Sequence, residues 1–298
     1  MDTKKKVYAG VVLSMVFWGM TFVWTKIVLK YWNPLTIILI RLILSSAIIF
    51  GFLKLFYKIE KIQRNDYGIF FLSALFNPFL YFIGENYGLK YSSATLSAVI
   101  ISTIPIFTAI AARIIYKERL ALLNVVGMII SMGGILLMLN DKGFSFSESG
   151  RGILWLWMAV FSAVGYGIIL KHLTGKYAPA TIVAVQNFMG IFLFLPPFFL
   201  FEYTHFIQTP ITSELLINLF FLAIFGSSLA FILFTIGTRE LGLSRTSLFS
   251  NLIPFFTAAT SFLLLGEQFT AIKILGMVAV IGGVVMTQLK KGEKSHHT

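Results

Sequence analysis

The sequence predicts an all-α membrane protein with ten transmembrane helices, arranged as two inverted five-helix repeats. Two observations support this fold class. Hydrophobic residues make up 57% of the 298-residue chain and charged residues only 12%, whereas soluble domains usually carry about 25% charged residues. The apolar runs recur along the whole chain, and the second half repeats the spacing of prolines, glutamates and glycines found in the first.

Ten apolar segments are long enough to cross a bilayer. A helix rises about 1.5 Å per residue, so roughly 20 apolar residues cover about 30 Å of hydrocarbon. The first run follows three lysines and is longer than the apolar part of a signal peptide, so we interpret it as a retained span. The predicted spans are Val7–Leu29, Leu35–Phe56, Tyr67–Leu89, Ala94–Ile115, Leu122–Leu139, Gly152–Leu170, Ala180–Phe201, Leu215–Ile236, Ser244–Leu265 and Ile272–Leu289.

Lysine and arginine residues predict the orientation. With the N-terminus inside the cell, 17 of the 24 lie on the inner side and 5 on the outer side, while Lys26 and Arg41 fall inside spans. Because cytoplasmic connections are rich in such residues, we expect both termini in the cytoplasm and the protein in the cell (inner) membrane. The net charge of +12 therefore reports orientation and not nucleic-acid binding.

Several kinds of chemistry have no support in the sequence. The chain contains no cysteine, which excludes disulfides and thiolate sites. The glycines form no phosphate-binding loop, which argues against ATP hydrolysis. The histidines show no metal-ligand spacing, so no metal or other cofactor is expected. These histidines are His172, His205, His296 and His297.

The two halves of the chain match at nearly constant offsets. Lys26 and Pro34 have counterparts 145 residues later, at Lys171 and Pro179. At an offset of 149, the matching residues are Pro105 and Pro254, Glu118 and Glu267, Gly127 and Gly276, and Gly133–Gly134 and Gly282–Gly283.

An odd number of spans per repeat makes the second copy enter the membrane from the opposite side. Inverted repeats of this kind are typical of transporters with alternating access, because the two packings of one unit have similar free energy. We expect the first repeat at residues 1–140, a linker at 141–151, the second repeat at 152–289 and a cytoplasmic tail at 290–298.

At these positions the sequence resembles the drug/metabolite transporter superfamily, in particular its ten-span members with paired EamA-like domains. The motifs that carry the resemblance are Trp18–Gly19 with Lys26, Ser92–Ser93–Ala94 before Pro105, and Ser250–Asn251 before Pro254. The resemblance implies a basket of helices around a central cavity, lined mainly by the first, third and fourth spans of each repeat. It also implies proton-coupled or exchange-driven movement of small metabolites, amino acids or drugs, often outward.

Two prolines near the middle of spans predict a substrate site. Pro105 and Pro254 each remove a backbone hydrogen bond, and broken helices at matching positions of two repeats point to a binding site near the midplane. Ser102 and Asn251 lie one turn before these prolines, where we expect them to hydrogen-bond a substrate. The alternative is a kink that only serves packing.

Charged residues inside the spans predict a coupling site. Lys26, Arg41 and Glu85 are expected at a similar depth, where an unpaired charge is costly, and we expect Arg41 to pair with Glu85. Glu85 is the only carboxylate well inside a span, so it is the first candidate for proton coupling. For Lys26 and Lys171, the alternative is extension of the long side chain to the membrane interface.

The same residues suggest a substrate class. An excess of intramembrane cations favours a substrate with an anionic group, and Trp18, Tyr81 and Tyr166 would hold an apolar or cationic portion. Asn77, which precedes Pro78, is a further polar point. The alternative for each aromatic residue is ordinary packing.

The sequence therefore predicts a secondary transporter of small amphipathic metabolites or amino acids. Its partners are a small-molecule substrate and the lipid bilayer, with possible proton coupling, and nothing in the sequence fixes the oligomeric state. Export rests on the family resemblance alone. A passive channel or scramblase, or a membrane-embedded enzyme, remains an alternative.

Other residues of the repeats have structural interpretations. Glu118 and Glu267 lie at the starts of spans, where a carboxylate caps free amides and complements the helix dipole. Small residues let helices approach closely in membranes, which predicts packing of the fifth span against the tenth. These small residues are Gly127, Ser131, Gly276, Ala279 and Gly283.

Overall fold

A computed structural model describes residues 3–56, 60–116, 122–140 and 149–288, which contain helices and no strand. Glu118 and the predicted tail 290–298 lie outside these residues. The α-helices are α1 (Thr3–Val28), α2 (Pro34–Phe56), α3 (Tyr67–Ala74), α4 (Tyr81–Tyr91), α5 (Ala94–Ile101), α6 (Ile104–Tyr116), α7 (Leu122–Asn140), α8 (Ser149–Thr174), α9 (Pro179–Phe201), α10 (Tyr203–Gln208), α11 (Ser213–Phe221), α12 (Ala230–Leu241), α13 (Leu243–Leu248), α14 (Ile253–Leu265) and α15 (Ala271–Gln288).

Several of these helices join into longer rods. The segment Leu75–Leu80, which is kinked at Asn77 (φ −144°, ψ 116°), connects α3 to α4, and a π-helical segment, Leu222–Leu229, connects α11 to α12. A 3₁₀ turn at Phe249–Leu252 connects α13 to α14. The backbone therefore departs from regular α-helix near the middle of three long rods.

Seven helical segments of the described residues are long and apolar enough to cross a membrane. Three shorter apolar helices coincide with the predicted fourth, fifth and tenth spans: Ala94–Thr108, Val125–Met138 and Ala271–Met286. The seven long segments are Lys4–Val28, Pro34–Leu55, Arg64–Tyr91, Gly150–Thr174, Pro179–Phe201, Ser213–Leu241 and Arg245–Leu265. The all-helical multi-pass membrane fold is thus confirmed, and the count of ten spans stays a prediction.

The surface of the bundle is apolar while polar side chains lie inside it. Leu122, Leu154 and Phe201 are 80%, 70% and 76% exposed, which suits contact with lipid. Arg41 and Gln186 are almost fully buried. This distribution is the reverse of that in a soluble protein.

Glycines bring α7 and α15 into close contact. A Cβ atom added to Gly134 would lie 2.6 Å from the carbonyl oxygen of Gly276, and one added to Gly283 would lie 2.5 Å from that of Gly127. Neither position leaves room for a side chain. The predicted packing of the fifth span against the tenth is confirmed.

We name the two ends of the bundle after residues that lie there. At the Lys26 end, α1 and α4 end and α5 begins, and the Lys26 ammonium contacts the turn between α4 and α5. At the opposite Asp66 end, Lys176 forms a 2.9 Å salt bridge with Asp66, and the Tyr177 hydroxyl donates to the same carboxylate at 2.6 Å. Burial and the Asp66 carboxylate raise the pKa of Tyr177 above its ordinary value.

Carboxylates from one half of the chain cap helices of the other half. Glu202, which follows α9, accepts hydrogen bonds from the backbone N–H groups of Leu35 and Thr36 at 3.2 and 2.7 Å. Glu267, which follows α14, accepts from the Ala94 N–H at 3.1 Å. Glu267 is therefore a cap, as its position predicts, but it caps α5 and not the neighbouring α15.

Candidate functional site

A cavity of about 620 Å³, including the part open to solvent, lies between the middle of the bundle and the Asp66 end. Four of the six residues that the sequence predicts to bind substrate line it: Trp18, Asn77, Tyr81 and Tyr166. They come from the first, third and sixth predicted spans, so the fold joins both halves of the chain at one wall.

Aromatic rings form much of the cavity wall. The ring of Trp18 lies 5.0 Å from those of Phe231 and Phe234, measured between centroids, and both phenylalanines also line the cavity. Such edge and tilted contacts fix the rings against one another. The wall can therefore hold a planar or apolar part of a ligand.

Hydroxyl and amide groups provide the polar part of the wall. Thr108, Ser247 and Ser250 line the cavity together with Asn77. The side-chain oxygen of Asn77 has no hydrogen-bond partner among the described residues, but this atom is buried and does not face open cavity space. No charged side chain lines the cavity in the described part of the chain.

The helix interruptions next to the cavity occur at Pro105 and Pro254. Each proline is the second residue of a helix, α6 or α14, where the missing N–H would have no helical partner. The Ser102 hydroxyl donates to the carbonyl of Val99 at 2.7 Å, so this backbone acceptor beside the break has a hydrogen-bond partner. The prolines thus start new helices and do not kink continuous ones.

The other two predicted substrate-binding residues, Ser102 and Asn251, do not line the cavity. Ser102 and Asn251 are buried, and the wall is formed by their neighbours Ile101 and Ser250. The side-chain oxygen of Asn251 has no hydrogen-bond partner among the described residues. A binding role for Ser102 and Asn251 stays a prediction.

Arg41 and Glu85 lie behind the cavity wall. Arg41 is 1% exposed; its Nε donates to the Ser227 hydroxyl at 2.8 Å, and its guanidinium lies 4.2 Å from the centre of the Phe82 ring. The carboxylate of Glu85 accepts a 3.0 Å hydrogen bond from the Tyr81 hydroxyl. Because Tyr81 lines the cavity, Glu85 is one hydrogen bond away from it.

The expected pairing of Arg41 with Glu85 is electrostatic and not a direct contact. The two charges attract each other, but the only salt bridge between described residues is the one at Asp66. The Nη1 atom of Arg41 has no hydrogen-bond partner among the described residues. The Phe82 ring and the Ser227 hydroxyl take the place of a carboxylate beside the guanidinium.

Lys26 and Lys171 occupy different surroundings. The Lys26 ammonium donates to the carbonyl oxygens of Leu89 and Ser92 at 2.5 and 2.6 Å, so this lysine is bound inside the protein and does not simply extend to the interface. The side chain of Lys171 is exposed near the end of α8. Neither lysine lines the cavity.

Some residues beside the site are not predicted by sequence reasoning. Gln186 of α9 accepts a hydrogen bond from the Tyr166 hydroxyl at 3.2 Å, and Asn187 donates to the hydroxyl of Ser45 at 2.9 Å. The offset of 145 would have found Gln186, since it is the counterpart of Arg41.

Within the described ranges, no group of three or more acidic, histidine or cysteine residues could hold a metal ion.

The described residues form a polytopic helical bundle with an apolar surface and an aromatic cavity lined by both halves of the chain. The sequence profile of the EamA-like transporter family matches residues 5–140 and 150–289. The chain therefore belongs to the EamA-like transporter family, within the superfamily that the sequence motifs resemble.

Related proteins agree with this class. The chain is 27% identical over 93% of its length to the uncharacterized transporter YdfC of Bacillus subtilis and 29% identical over 91% to YyaM of the same organism, covering 89% of each. It is 24% identical over 93% of its length to the WAT1-related protein At3g02690, chloroplastic, of Arabidopsis thaliana, covering 68% of it. One crystal structure shares the fold with a TM-score of 0.71 at 15% identity, covering 95% of this chain and 96% of the other.

Proposed function

We propose that the protein is a secondary transporter that moves small amphipathic metabolites or amino acids across the cell membrane by alternating access, in the direction of export. It has ten spans in two inverted repeats, residues 1–140 and 152–289, with both termini in the cytoplasm. The observation that carries the proposal is the neutral, aromatic cavity between the halves, with the Glu85 carboxylate one hydrogen bond behind its wall.

The contact between α7 and α15 supports the inverted repeat. Gly134 meets Gly276 and Val280, while Gly283 meets Gly127 and Ser131. Adding 149 to the α7 residue and subtracting 149 from the α15 residue converts each contact into the other. A contact that maps onto itself in this way is expected at a twofold axis between two copies of one unit.

The helix interruptions support the same proposal. The irregular segments of the two long rods begin at Leu75 and Leu222, and α6 and α14 begin at Ile104 and Ile253. The two offsets are 147 and 149, close to those of the sequence repeat. Three shorter apolar helices beside the seven long ones support a total of ten spans.

The cavity supports an amphipathic substrate. Aromatic rings suit a planar or apolar part, and the hydroxyl groups of the wall suit a hydrogen-bonding part. The anionic group suggested by the sequence has less support, since no charged side chain lines the cavity among the described residues. An amphipathic molecule with an aromatic or aliphatic part and a hydrogen-bonding group such as an amine or amide combines these features best.

Counterflow in proteoliposomes tests the proposal. Vesicles with purified protein are loaded with unlabelled amino acids, nucleotide sugars or quaternary amines, and uptake of the labelled compound is followed. We expect saturable exchange of one class. Flux that rises linearly with concentration would favour a channel or scramblase, and no flux across the panel would reject the carrier.

Proton coupling is tested in the same vesicles with Glu85→Gln. We expect uptake driven by a pH gradient to vanish while exchange of substrate for substrate survives, because exchange needs no net proton movement. Glu202→Gln is the matched control, since Glu202 is also a buried carboxylate but caps α2 away from the cavity. Equal loss of driven uptake in both variants would contradict a coupling role for Glu85.

A further inference from the structure

Two charged side chains meet the turn between α4 and α5 from opposite sides. Lys26 of α1 donates to the carbonyl oxygens of Leu89 and Ser92, at the end of α4. Glu267 accepts from the Ala94 N–H at 3.1 Å and from the Thr95 hydroxyl, at the start of α5. A cation therefore sits at a helix C-terminus and an anion at a helix N-terminus, which is the favourable sign at both ends of the helix dipole.

The two charges act on each other as well as on the turn. Lys26 and Glu267 attract each other electrostatically, and the residues that they contact are buried: Leu89 and Ala94 have no exposed surface and Thr95 is 2% exposed. Hydrogen bonds to charged groups are about twice as strong as neutral ones. This end of the bundle is thus closed by charge-assisted contacts.

The contacts join the elements that form the cavity wall. α1 contributes Trp18 to the wall, α5 contributes Ile101 and α14 contributes Ile253. Trp18 is eight residues from Lys26, or about 12 Å along α1. The cluster of Lys26 and Glu267 therefore fastens these three elements together at the end of the bundle away from the cavity.

Another carboxylate cap at the same end joins different elements. Glu202 follows α9 and caps α2, and neither α2 nor α9 contributes a described residue to the cavity wall. Of these two carboxylate caps, only Glu267 therefore joins elements that contribute residues to the cavity wall.

We propose that Lys26 and Glu267 form a latch that holds the Lys26 end closed while the cavity faces the Asp66 end, and that the latch opens when the cavity turns to the other side of the membrane. The proposal rests on transport by alternating access. Each cycle then breaks the hydrogen bonds of Lys26 to the α4–α5 turn and those of Glu267 to α5, and forms them again.

The natural absence of cysteine allows a direct test. Ala98 has no exposed surface and lies one turn beyond Ala94 on α5. A single Ala98→Cys substitution therefore reacts with a water-soluble maleimide only when this end opens, and the labelling rate measures the opening. Ala184→Cys, at an equally buried alanine of α9, reports general loosening. Both are measured in purified full-length protein in lipid vesicles.

We expect Lys26→Met and Glu267→Gln each to raise the labelling rate at position 98 at least about tenfold, since loss of one hydrogen bond to a charged group shifts a two-state equilibrium by about that factor and each side chain makes two. Lys26→Arg keeps the cation and should leave labelling slow. Glu202→Gln should change labelling at position 98 little, and no variant should raise labelling at position 184.

Unchanged labelling at position 98 in Lys26→Met and Glu267→Gln would overturn the latch, as would an equal rise at positions 98 and 184. Labelling needs no substrate, so it is independent of the counterflow result. Faster labelling at position 98 without exchange of any compound would support a latch that opens and would reject the proposed transport.

Discussion

Residues 64–91 and 213–241 are long rods with an irregular segment near the middle, the kinked Leu75–Leu80 in the first and the π-helical Leu222–Leu229 in the second. Their side chains differ. The first rod carries Glu85 close to its irregular segment, whereas the second has no charged residue between Glu214 and Arg239. Both halves interrupt this rod at a similar position, but only the first half has an ionisable side chain beside the interruption.

The same asymmetry appears in the helices that pack on these rods. Arg41 of α2 donates to the hydroxyl of Ser227 in the second rod, and its counterpart Gln186 of α9 accepts from the hydroxyl of Ser73 in the first rod at 3.5 Å. A repeated frame allows two arrangements of similar free energy. A charge in only one half lets a proton or a charged ligand favour one arrangement, because differential interaction is what shifts such an equilibrium.

The largest expected effect is a difference in stability loss between substitutions of Arg41 and of its counterpart Gln186. Arg41→Met removes the positive charge that acts on buried Glu85, and loss of one partner from a buried charged group costs about 3 kcal/mol. Gln186→Leu removes neutral hydrogen bonds and should cost about 1 kcal/mol. Thermal unfolding of the purified protein in detergent measures both.

A second substitution tests the cause of that loss. If Arg41→Met destabilises because Glu85 is left with an uncompensated charge, then Arg41→Met with Glu85→Leu should recover most of the stability. A double variant as unstable as the sum of the single ones would show that Arg41 acts through packing and through Ser227 alone. Equal losses of stability for Arg41→Met and Gln186→Leu would contradict an energetic asymmetry between the two halves.

The next effect on stability concerns the contact between α7 and α15, to which both halves contribute equivalent glycines. Gly134→Ala and Gly283→Ala put a methyl group within 3 Å of the backbone of the opposite helix and should each cost about 2 kcal/mol by overpacking. Gly133 and Gly282 have no atom within 4 Å of an added Cβ, so alanine at either position should be neutral or slightly stabilising. Unfolding temperatures that do not separate the two pairs would contradict the close contact of α7 with α15.

Much of this arrangement could be predicted because it depends on local sequence. Prolines fix where α6 and α14 begin, and glycine spacing identifies the α7–α15 contact. Trp18, Tyr81 and Tyr166 lie on regular helices and reach the cavity, and Asn77 also lines it although its own backbone is not helical. Beside the breaks before Pro105 and Pro254, Ile101 and Ser250 line the wall, whereas their neighbours Ser102 and Asn251 do not.

The rest depends on contacts between distant segments. Lys26 binds the carbonyl oxygens of Leu89 and Ser92, and a backbone acceptor has no signature in the side-chain sequence. Glu267 can be recognised as a cap from its position, but its target, α5, is set by how the halves pack. Arg41 finds Ser227 and the Phe82 ring for the same reason.

A smaller effect compares the two tyrosines of the cavity. Tyr81 donates to the Glu85 carboxylate and Tyr166 to the neutral Gln186. Since a hydrogen bond to a charged group is worth more, Tyr81→Phe should lower the rate of proton-driven uptake about tenfold and Tyr166→Phe only about threefold. Equal reductions, measured in the counterflow vesicles with a pH gradient, would mean that both hydroxyls act only on the shape of the cavity.

The smallest effect lies at the junctions before α5 and α13. Ser93 caps α5 through a 3.2 Å hydrogen bond from the Leu96 N–H, so Ser93→Ala should cost about 1 kcal/mol. Its counterpart is Gly242, whose φ of 86° favours glycine.

The reverse substitution, Gly242→Ser, makes the second half resemble the first in sequence but should also destabilise, because serine does not adopt this φ without strain. Unfolding temperatures of the two variants check the pair. A neutral or stabilising Gly242→Ser would mean that the junction before α13 relaxes to the conformation of Ser93. The two halves would then share this capped junction as well as the interruption of their long rods, which would leave the asymmetry to the side chains of Arg41 and Glu85.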